Sequence, residues 1–236
     1  MDDFIQIEGI SKKYDNKYVM KDVSITIPSG RIIGLLGDNG IGKTTLLKLL
    51  GNLQKPDRGE IRIDHTPVSQ MKAKDIVYLL EPANIYDWMK IKQAIAFYSD
   101  FHADFDKDRA LRMCREFGLD LNARITRLSK GNKEKVCLML AFSRKAKLYL
   151  LDEPLGGMDP TLKKNIKKFI LENIPTDATI IMATHLLKDL EILFDQIIIM
   201  TGAGKIIYVD TDEIRGTRNQ SVEDYYAEVI ENAASH

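Results

Sequence analysis

Residues 37–44, GDNGIGKT, match the phosphate-binding pattern G-x-x-x-x-G-K-[ST]. They follow an apolar run, RIIGLLG, and precede a helical segment, TTLLKLLGNL, as this kind of loop requires. Glycines allow backbone N–H groups to surround phosphate oxygens, while Lys43 would reach the β and γ phosphates and the Thr44 hydroxyl would bind Mg²⁺. The predicted nucleotide-binding residues of this stretch are Asp38, Asn39, Gly40, Ile41, Gly42, Lys43, Thr44 and Thr45.

Two carboxylates end a later apolar run, LYLLDE at residues 148–153. A buried strand rarely ends in two charges without a function for them, and ligands of a parallel sheet collect at the carboxyl ends of its strands. We predict that Asp152 holds Mg²⁺ through its water shell and that Glu153 orients or deprotonates an attacking water. Alone, such a pair would more often begin a helix, but the phosphate-binding loop favours the catalytic interpretation.

His185 follows another apolar run, ATIIMAT, and would emerge at the same edge of a sheet. A neutral imidazole there can hydrogen-bond a γ-phosphate oxygen, although an isolated histidine is usually just a capped or buried ring. The guanine-reading pattern NKxD is absent, since NKYV and NKEK both lack the aspartate. The sequence therefore favours ATP over GTP.

The stretch LSKGN, residues 128–132, precedes a lysine-rich helical segment. Ser129 can cap the unpaired N–H groups of that helix, and the partial positive charge of a helix start suits an anion. The alternative is an ordinary capped helix whose Lys133 and Lys135 face solvent. This stretch alone does not decide between the two.

Composition excludes several classes of protein. The 236 residues, 44% of them hydrophobic, provide a core for one large or two small domains, and 34 basic residues balance 34 acidic ones, so no overall basic field would attract nucleic acid. Cys114 and Cys137 have no CxxC spacing, which predicts reduced thiols and a cytoplasmic protein. The start MDDFIQIEGI does not resemble a secretory signal, and no apolar run approaches about 18 residues, so we expect no membrane-spanning segment.

Strand and helix patterns alternate along much of the chain. After the phosphate-binding loop, further strand patterns occur in EIRID, DIVYLL, KLYLLDEP, ATIIMAT, QIIIM and KIIYVD. Between them the spacing predicts helices near 87–101, near 106–117 and from the LSKGN stretch, then LLKDLEILF and a last helix near 221–232. This alternation predicts a mostly parallel sheet with a helical insertion.

Five motifs occur in one order: the phosphate-loop lysine, LSKGN, LLDEP, GGMD and ATH. This order and spacing resemble the ATPase subunits of ATP-binding cassette (ABC) transporters from about residue 4 to about residue 210. The middle of the chain further resembles members that serve multidrug, peptide or polysaccharide export permeases. The resemblance implies ATP and Mg²⁺ as ligands, with a separate transmembrane permease and a second nucleotide-binding domain as partners. It also implies a cytoplasmic location, peripheral on the cell membrane through the permease, and no nucleic acid partner.

In that family two domains pack head to tail, and the serine–glycine signature of each closes over the ATP held by the other. The resemblance therefore assigns Ser129 and Gly131 to the partner's γ-phosphate and Asp159 to the segment that crosses the interface. It assigns Tyr14 to stacking on adenine, although Tyr18 is an equally aromatic alternative.

The sequence also departs from the family pattern. The usual signature is LSGGQ, so Lys130 and Asn132 replace a glycine and a glutamine. Where a glutamine usually couples the metal site to the permease, this chain has Glu81, which could bind Mg²⁺ or water, or could be a solvated loop residue. These departures leave open a nucleotide-binding regulator that does not hydrolyse ATP.

We therefore expect an α/β fold: a P-loop NTPase core with a mostly parallel sheet, an N-terminal antiparallel β subdomain and an inserted helical subdomain at about 84–145. Residues 1–236 would form a single nucleotide-binding domain. Its expected function is ATP hydrolysis that powers a separate permease through ATP-driven closing of a dimer. The alternative is a soluble ABC-type ATPase acting on nucleic acid, ribosomes or an assembly scaffold, but the sequence shows no coiled-coil insertion, tandem cassette or basic surface.

Overall fold

The structure is a computed structural model that describes residues 3–72, 74–79, 86–155, 167, 170, 177–185 and 187–234. The described strands are β1 Asp3–Tyr14, β2 Lys17–Pro28, β3 Ile32–Leu36, β4 Arg58–Ile63, β5 Thr66–Pro67, β6 Ile76–Leu79, β7 Leu148–Asp152, β8 Thr179–Ala183, β9 Gln196–Met200 and β10 Ile206–Asp210. The described α-helices are α1 Lys43–Leu50, α2 Ile91–Phe101, α3 Lys107–Glu116, α4 Lys130–Phe142, α5 Leu187–Leu190, α6 Thr211–Thr217 and α7 Val222–Ala234.

The N-terminal sheet is antiparallel, with strand order β2-β1-β4-β5. Its two long strands form a hairpin whose turn residues, Asp15 and Asn16, have φ angles of 45° and 63°. Asp and Asn tolerate positive φ and are preferred in tight hairpin turns. The predicted antiparallel subdomain is confirmed, and its strands β1 and β2 are each 12 residues long.

The second sheet has six strands in the order β10-β9-β3-β8-β7-β6. The five strands from β9 to β6 are parallel, and β10 pairs with β9 in the antiparallel direction. The predicted mostly parallel sheet is therefore confirmed. Because β3, β7 and β8 are adjacent and parallel, the residues that follow them lie at one edge of the sheet.

Alternate residues of this sheet belong to two hydrophobic cores. Leu148 and Leu150 of β7 pack with α1 and the N-terminal sheet, whereas Tyr149 and Leu151 belong to the core that α2, α3 and α4 share. Helix α1 thus lies between the two sheets, with four leucines fully buried: Leu46, Leu47, Leu49 and Leu50. This packing fixes the start of α1 against the end of β7.

Helices α2, α3 and α4 form the predicted helical insertion between β6 and β7. Helix α3 is capped by Asp106, whose carboxylate accepts a hydrogen bond from the Arg109 N–H at 2.9 Å. The first predicted helix starts later than the spacing indicated: α2 begins at Ile91, so Trp88 precedes it and is 61% exposed. The bounds 84–145 for a helical subdomain remain a prediction.

Three features of the C-terminal third differ from the sequence-based expectation or refine it. The predicted helix LLKDLEILF is helical only over α5, after which residues 191–193 form one 3₁₀ turn. Helix α6 was not predicted; it starts after Asp210, whose carboxylate accepts from the Asp212 N–H at 2.9 Å. The last helix was predicted, and α7 extends it to residue 234.

Both cysteines are free thiols in helices, as the sequence predicted. Burial raises the pKa of Cys137 in α4 to about 12, and it also raises the pKa of Cys114 in α3. Both thiols therefore stay protonated near neutral pH and are poor nucleophiles.

No helix in the part of the chain that the structure describes combines the length and apolar character needed to cross a bilayer.

Candidate nucleotide-binding site

The loop between β3 and α1 has a backbone that only glycine adopts easily. Gly37, Gly40 and Gly42 have φ angles of +148°, +80° and +122°. A Cβ on Gly42 would lie 2.2 Å from Val19 Cγ1, and a Cβ on Gly37 would lie 2.9 Å from the Met200 carbonyl oxygen. All three glycines are thus required by conformation, and Gly37 and Gly42 also by close packing, whereas a Cβ on Gly40 would meet nothing within 4 Å.

Lys43 is the first residue of α1 and is buried inside this loop. Its ammonium donates to the Gly37 carbonyl oxygen at 2.6 Å and to the Asp38 carbonyl oxygen at 3.1 Å. An ammonium has three donor hydrogens, so phosphate oxygens could bind beside these carbonyls or replace them. The N-cap residue Gly42 has no side chain to occupy the helix start, which leaves that end of α1 suited to an anion.

Thr44 and Asp152 bring the start of α1 and the end of β7 together. The Thr44 hydroxyl donates to Asp152 Oδ2 at 2.6 Å, and Asp152 is only 8% exposed. A hydroxyl and a carboxylate are the hard oxygen ligands that Mg²⁺ prefers, so these two residues fit the ion that the family implies. Within the described ranges, no group of three or more His, Cys, Asp or Glu side chains could hold a metal ion.

Glu153 directly follows β7 and has a φ angle of 46°, which is uncommon for a residue with a side chain. Its N–H donates to the Ala183 carbonyl oxygen at 2.9 Å, so a backbone hydrogen bond to β8 holds this conformation. Strained backbone of this kind clusters at functional sites, where it aims a side chain. No local pattern in the sequence indicates this backbone strain, because the strain depends on how β7 ends beside β8.

The His185 imidazole lies beside the Glu153 carboxylate. Nδ1 of His185 is 2.8 Å from Glu153 Oε2, and the His185 N–H donates to the same oxygen at 3.4 Å. The glutamate side chain is 16% exposed and the histidine side chain 55% exposed. Two residues predicted separately from the ends of two strands are thus in direct contact.

These groups surround a cleft of about 200 Å³. The cleft is lined by Asn39, Gly40, Gly42, Lys43, Thr44, Thr45, Asp152 and Glu153. Asp38 and Ile41 belong to the same loop, where the Ile41 N–H donates to the Asp38 carbonyl oxygen at 3.2 Å, but neither lines the cleft. A glycine-rich loop, an ammonium, a hydroxyl in contact with a carboxylate and a second carboxylate are therefore combined at one edge of the parallel sheet.

The remaining predicted residues lie elsewhere. Ser129 caps α4, as predicted, since its hydroxyl accepts from the Asn132 N–H at 3.3 Å. The described lining of the cleft includes neither Ser129, nor Gly131, nor Tyr14. Glu81 and Asp159 lie outside the described residues.

Two residues of the site region were missed by the sequence analysis. Val19 of β2 packs against Gly42, and Gln54 accepts a hydrogen bond from the Tyr14 hydroxyl at 2.6 Å. Both contacts join segments that are distant in the sequence, and no local pattern marks either residue.

Comparison with known proteins shows the family to which the chain is related. Residues 20–156, more than half of the chain, match the family described as ABC transporter. The chain is 30% identical over 214 residues to the ABC transporter ATP-binding protein YtrB of Bacillus subtilis (strain 168), covering 89% of this chain and 73% of that protein. It is 31% identical over 221 residues to the spermidine/putrescine import ATP-binding protein PotA of Mycoplasma capricolum, covering 89% of this chain and 62% of that protein.

A solved structure described as the ATP binding subunit of an ABC transporter has the same architecture. It superposes with a TM-score of 0.85 at 27% sequence identity, covering 96% of this chain and 99% of that one.

Proposed function

The chain belongs to the ABC transporter family as an ATPase subunit that serves a separate permease, and we propose that two nucleotide-binding domains close over Mg-ATP to drive transport. The observation that carries this proposal is the convergence of Lys43, Thr44, Asp152 and Glu153 on one cleft. We propose that the subunit lies at the cytoplasmic face of a membrane, attached through its permease. The export-type likeness of the middle of the chain remains a prediction, because the similar proteins include one named for import.

Binding of the triphosphate is assigned to the loop and the start of α1. Backbone N–H groups of residues 39–45 would surround the phosphates, and Lys43 would place its positive charge against the β and γ phosphates. Thr44 and Asp152 would hold Mg²⁺, which when bound neutralises charge on the phosphate oxygens.

Hydrolysis is assigned to Glu153 and His185. The Glu153 carboxylate would accept a proton from water as the water oxygen attacks the γ-phosphorus, and the bond to the β–γ bridging oxygen would break to leave ADP and phosphate. The strained backbone and the contact with His185 hold the carboxylate in place before the reaction. The imidazole could then hydrogen-bond the γ-phosphate through its other nitrogen.

Tyr14 is the better supported of the two adenine candidates. Tyr14 pairs with Lys17 across the hairpin, and Lys17 shares a strand face with Val19, which contacts Gly42 of the phosphate-binding loop. The ring of Tyr18 lies beneath two ammonium groups, those of Lys13 and Lys21, at 4.3 Å and 5.6 Å from the ring centroid, whereas the Lys12 ammonium lies 5.7 Å from the centroid of the Tyr14 ring.

We expect Tyr14→Ala to weaken ATP binding about tenfold, since stacking of a base on an aromatic ring contributes roughly 1–3 kcal/mol. Tyr18→Ala should leave the affinity within about twofold of the wild type. Tyr14→Phe is the matched control, because it keeps the ring and loses only the hydrogen bond to Gln54. Titration calorimetry with ATP measures all three, and a larger loss in Tyr18→Ala than in Tyr14→Ala would reverse the assignment.

Ser129 and Gly131 are assigned to the nucleotide of the partner domain. Ser129 is the N-cap of a 13-residue helix whose first turn contains no acidic residue, and the described lining of its own chain's cleft does not include it. The partial positive charge at the start of this helix attracts anions, and because the helix start lies outside the cleft of its own chain, that anion would be held by another chain.

Mixing variants tests this assignment if the working dimer is a homodimer. In such a dimer each nucleotide site would combine Lys43 of one chain with Ser129 of the other. Lys43→Ala chains mixed with Ser129→Arg chains should regain ATPase activity, because one site of each mixed dimer then contains both substitutions and the other site contains neither. A Lys43→Ala/Ser129→Arg double variant mixed with wild-type chains places one defect in each site, so its mixed dimers should be inactive. Recovery from the double-variant mixture alone would show that Ser129 serves its own chain.

A cluster of exposed aromatic residues is the proposed docking site for the permease. Tyr86, Trp88 and Phe101 are 54%, 61% and 70% exposed, and Phe97 joins them, with ring centroids 5.6 Å from Tyr86 and 4.3 Å from Phe101. Exposed apolar clusters of this kind are typical of interaction sites, and a short permease helix would bury them.

We expect a hydrophobic membrane subunit to copurify with the chain and to crosslink to residues 84–105. Photo-crosslinkers at residues 88 and 101 test this, with residue 213 on α6 as the control position. Crosslinks only from the control position would move the docking site. Copurification with ribosomes or DNA instead of a membrane subunit would contradict the transporter role.

A further inference from the structure

Tyr78 of β6 has a buried hydroxyl for which the described part of the chain provides no hydrogen-bond partner. Its oxygen is shielded from solvent, and no atom of the residues that the structure describes donates to it or accepts from it. Buried polar groups are nearly always paired, so an isolated one requires an explanation. The other tyrosine that packs on the same core, Tyr208, donates to Gln196 at 2.5 Å.

Tyr78 lies on the same face of the sheet as Asp152, the proposed magnesium ligand. Tyr78 is the register partner of Leu150 on β7, and Asp152 lies two residues beyond Leu150 on the same side of that strand. A Cβ at Gly51, the C-cap residue that follows α1, would lie 3.6 Å from Tyr78 Cδ2 and 3.4 Å from Leu150 Cδ1, so both side chains lie beside the carboxyl end of that helix. Tyr78 is therefore on the face of the sheet that also carries the Thr44–Asp152 contact.

The Tyr78 hydroxyl is affected by its burial and by the charge of Asp152. Burial, and secondly the charge of Asp152, raises the pKa of the Tyr78 hydroxyl above its ordinary value. The phenol therefore stays protonated near neutral pH, where it can donate a hydrogen bond. A neutral donor is suited to this position, because it can orient the Asp152 carboxylate and still leave the negative charge of that carboxylate to bind a cation.

We propose that Tyr78 is a positioning residue of the magnesium site, whose hydroxyl donates through a bridging water to the Asp152 carboxylate when Mg-nucleotide is bound. This inference rests on the proposed function. Groups that orient a metal ligand typically change metal affinity by about 10–100-fold when they are removed. Tyr78 would thus set the orientation of Asp152 without touching the metal or the nucleotide.

The test is Tyr78→Phe, which removes only the hydroxyl oxygen. Mn²⁺ replaces Mg²⁺ as the probe, and its binding in the presence of a non-hydrolysable ATP analogue is followed by electron paramagnetic resonance. We expect the dissociation constant for Mn²⁺ to rise about tenfold, whereas binding of the analogue in EDTA stays within about twofold of the wild type. The Tm of the nucleotide-free variant should not fall, since the hydroxyl has no partner there.

Tyr208→Phe is the matched control. It loses the hydrogen bond to Gln196, so we expect a lower Tm and an unchanged affinity for Mn²⁺. An unchanged Mn²⁺ affinity in Tyr78→Phe would overturn the inference, and so would an equal loss of analogue binding in EDTA, which would indicate a structural role. If the wild type itself shows no Mn²⁺-dependent binding, the proposed magnesium site fails and the inference fails with it.

Discussion

Lys43→Ala is expected to weaken Mg-ATP binding about a hundredfold and to reduce hydrolysis at least as much. The ammonium is buried in the phosphate-binding loop, 2.6 Å from the Gly37 carbonyl oxygen. It is the cationic side chain in the described lining of the cleft, and charge-assisted hydrogen bonds to phosphate contribute roughly 1.5–3 kcal/mol. A hundredfold loss corresponds to about 2.8 kcal/mol.

Lys48→Ala is the control, because Lys48 lies in the last turn of the same helix and does not line the described cleft. Calorimetric titration gives both affinities, and thermal unfolding shows whether each variant is folded. In Lys43→Ala, water from the cleft can hydrogen-bond the Gly37 and Asp38 carbonyl oxygens that lose their donor, so the fold should persist. Unchanged ATP affinity and hydrolysis in Lys43→Ala would contradict the phosphate-loop assignment.

The phosphate-binding loop could be predicted because its chemistry is local in sequence. Residues 37–44 contain the backbone turns, the cation and the hydroxyl in one stretch between a strand and a helix. The convergence of Asp152, Glu153 and His185 could also be predicted, since parallel strands present their carboxyl ends at one edge. These predictions need only the type and direction of the strands.

The contacts that refine the site could not be predicted in this way. The Thr44–Asp152 hydrogen bond, the packing of Val19 on Gly42 and the isolated hydroxyl of Tyr78 depend on register between segments far apart in the chain. A shift of one residue in a strand would turn each of these side chains to the opposite face. Such contacts can be identified only in the folded structure, where the register of the strands and the packing of the side chains are both determined.

The position of Trp88 shows a related limit of periodicity. Its spacing with Ile91 and Ile95 fits one helical face, but the helix begins only at Ile91. Lys90 is the N-cap residue, and its N–H donates to the Gln93 side chain at 2.9 Å, which fixes the start of the helix. The tryptophan is therefore exposed beside Tyr86 instead of entering the core, and this exposure makes it a docking candidate.

Glu153→Gln is expected to reduce ATP hydrolysis by at least a hundredfold while ATP binding is retained. General bases contribute about 10²–10⁴-fold to the rate, and an amide cannot accept the proton of the attacking water. The amide keeps the shape of the side chain, and its oxygen can still pair with His185, so the geometry of the cleft should persist. The bound nucleotide would then remain intact, and the closed dimer should accumulate.

Two measurements check this result: phosphate release under steady-state conditions, and the molar mass of the protein in Mg-ATP by light scattering after size-exclusion chromatography. Glu213→Gln, at an exposed position of α6, removes the same charge far from the cleft and should behave as the wild type. Full hydrolysis by Glu153→Gln would place the base elsewhere. Loss of ATP binding would instead mean that the carboxylate charge organises the cleft, since Glu153 is held by its backbone bond to Ala183 independently of that charge. Retained binding, slow phosphate release and a larger share of dimer together follow only if Glu153 acts on the water after the two domains have closed.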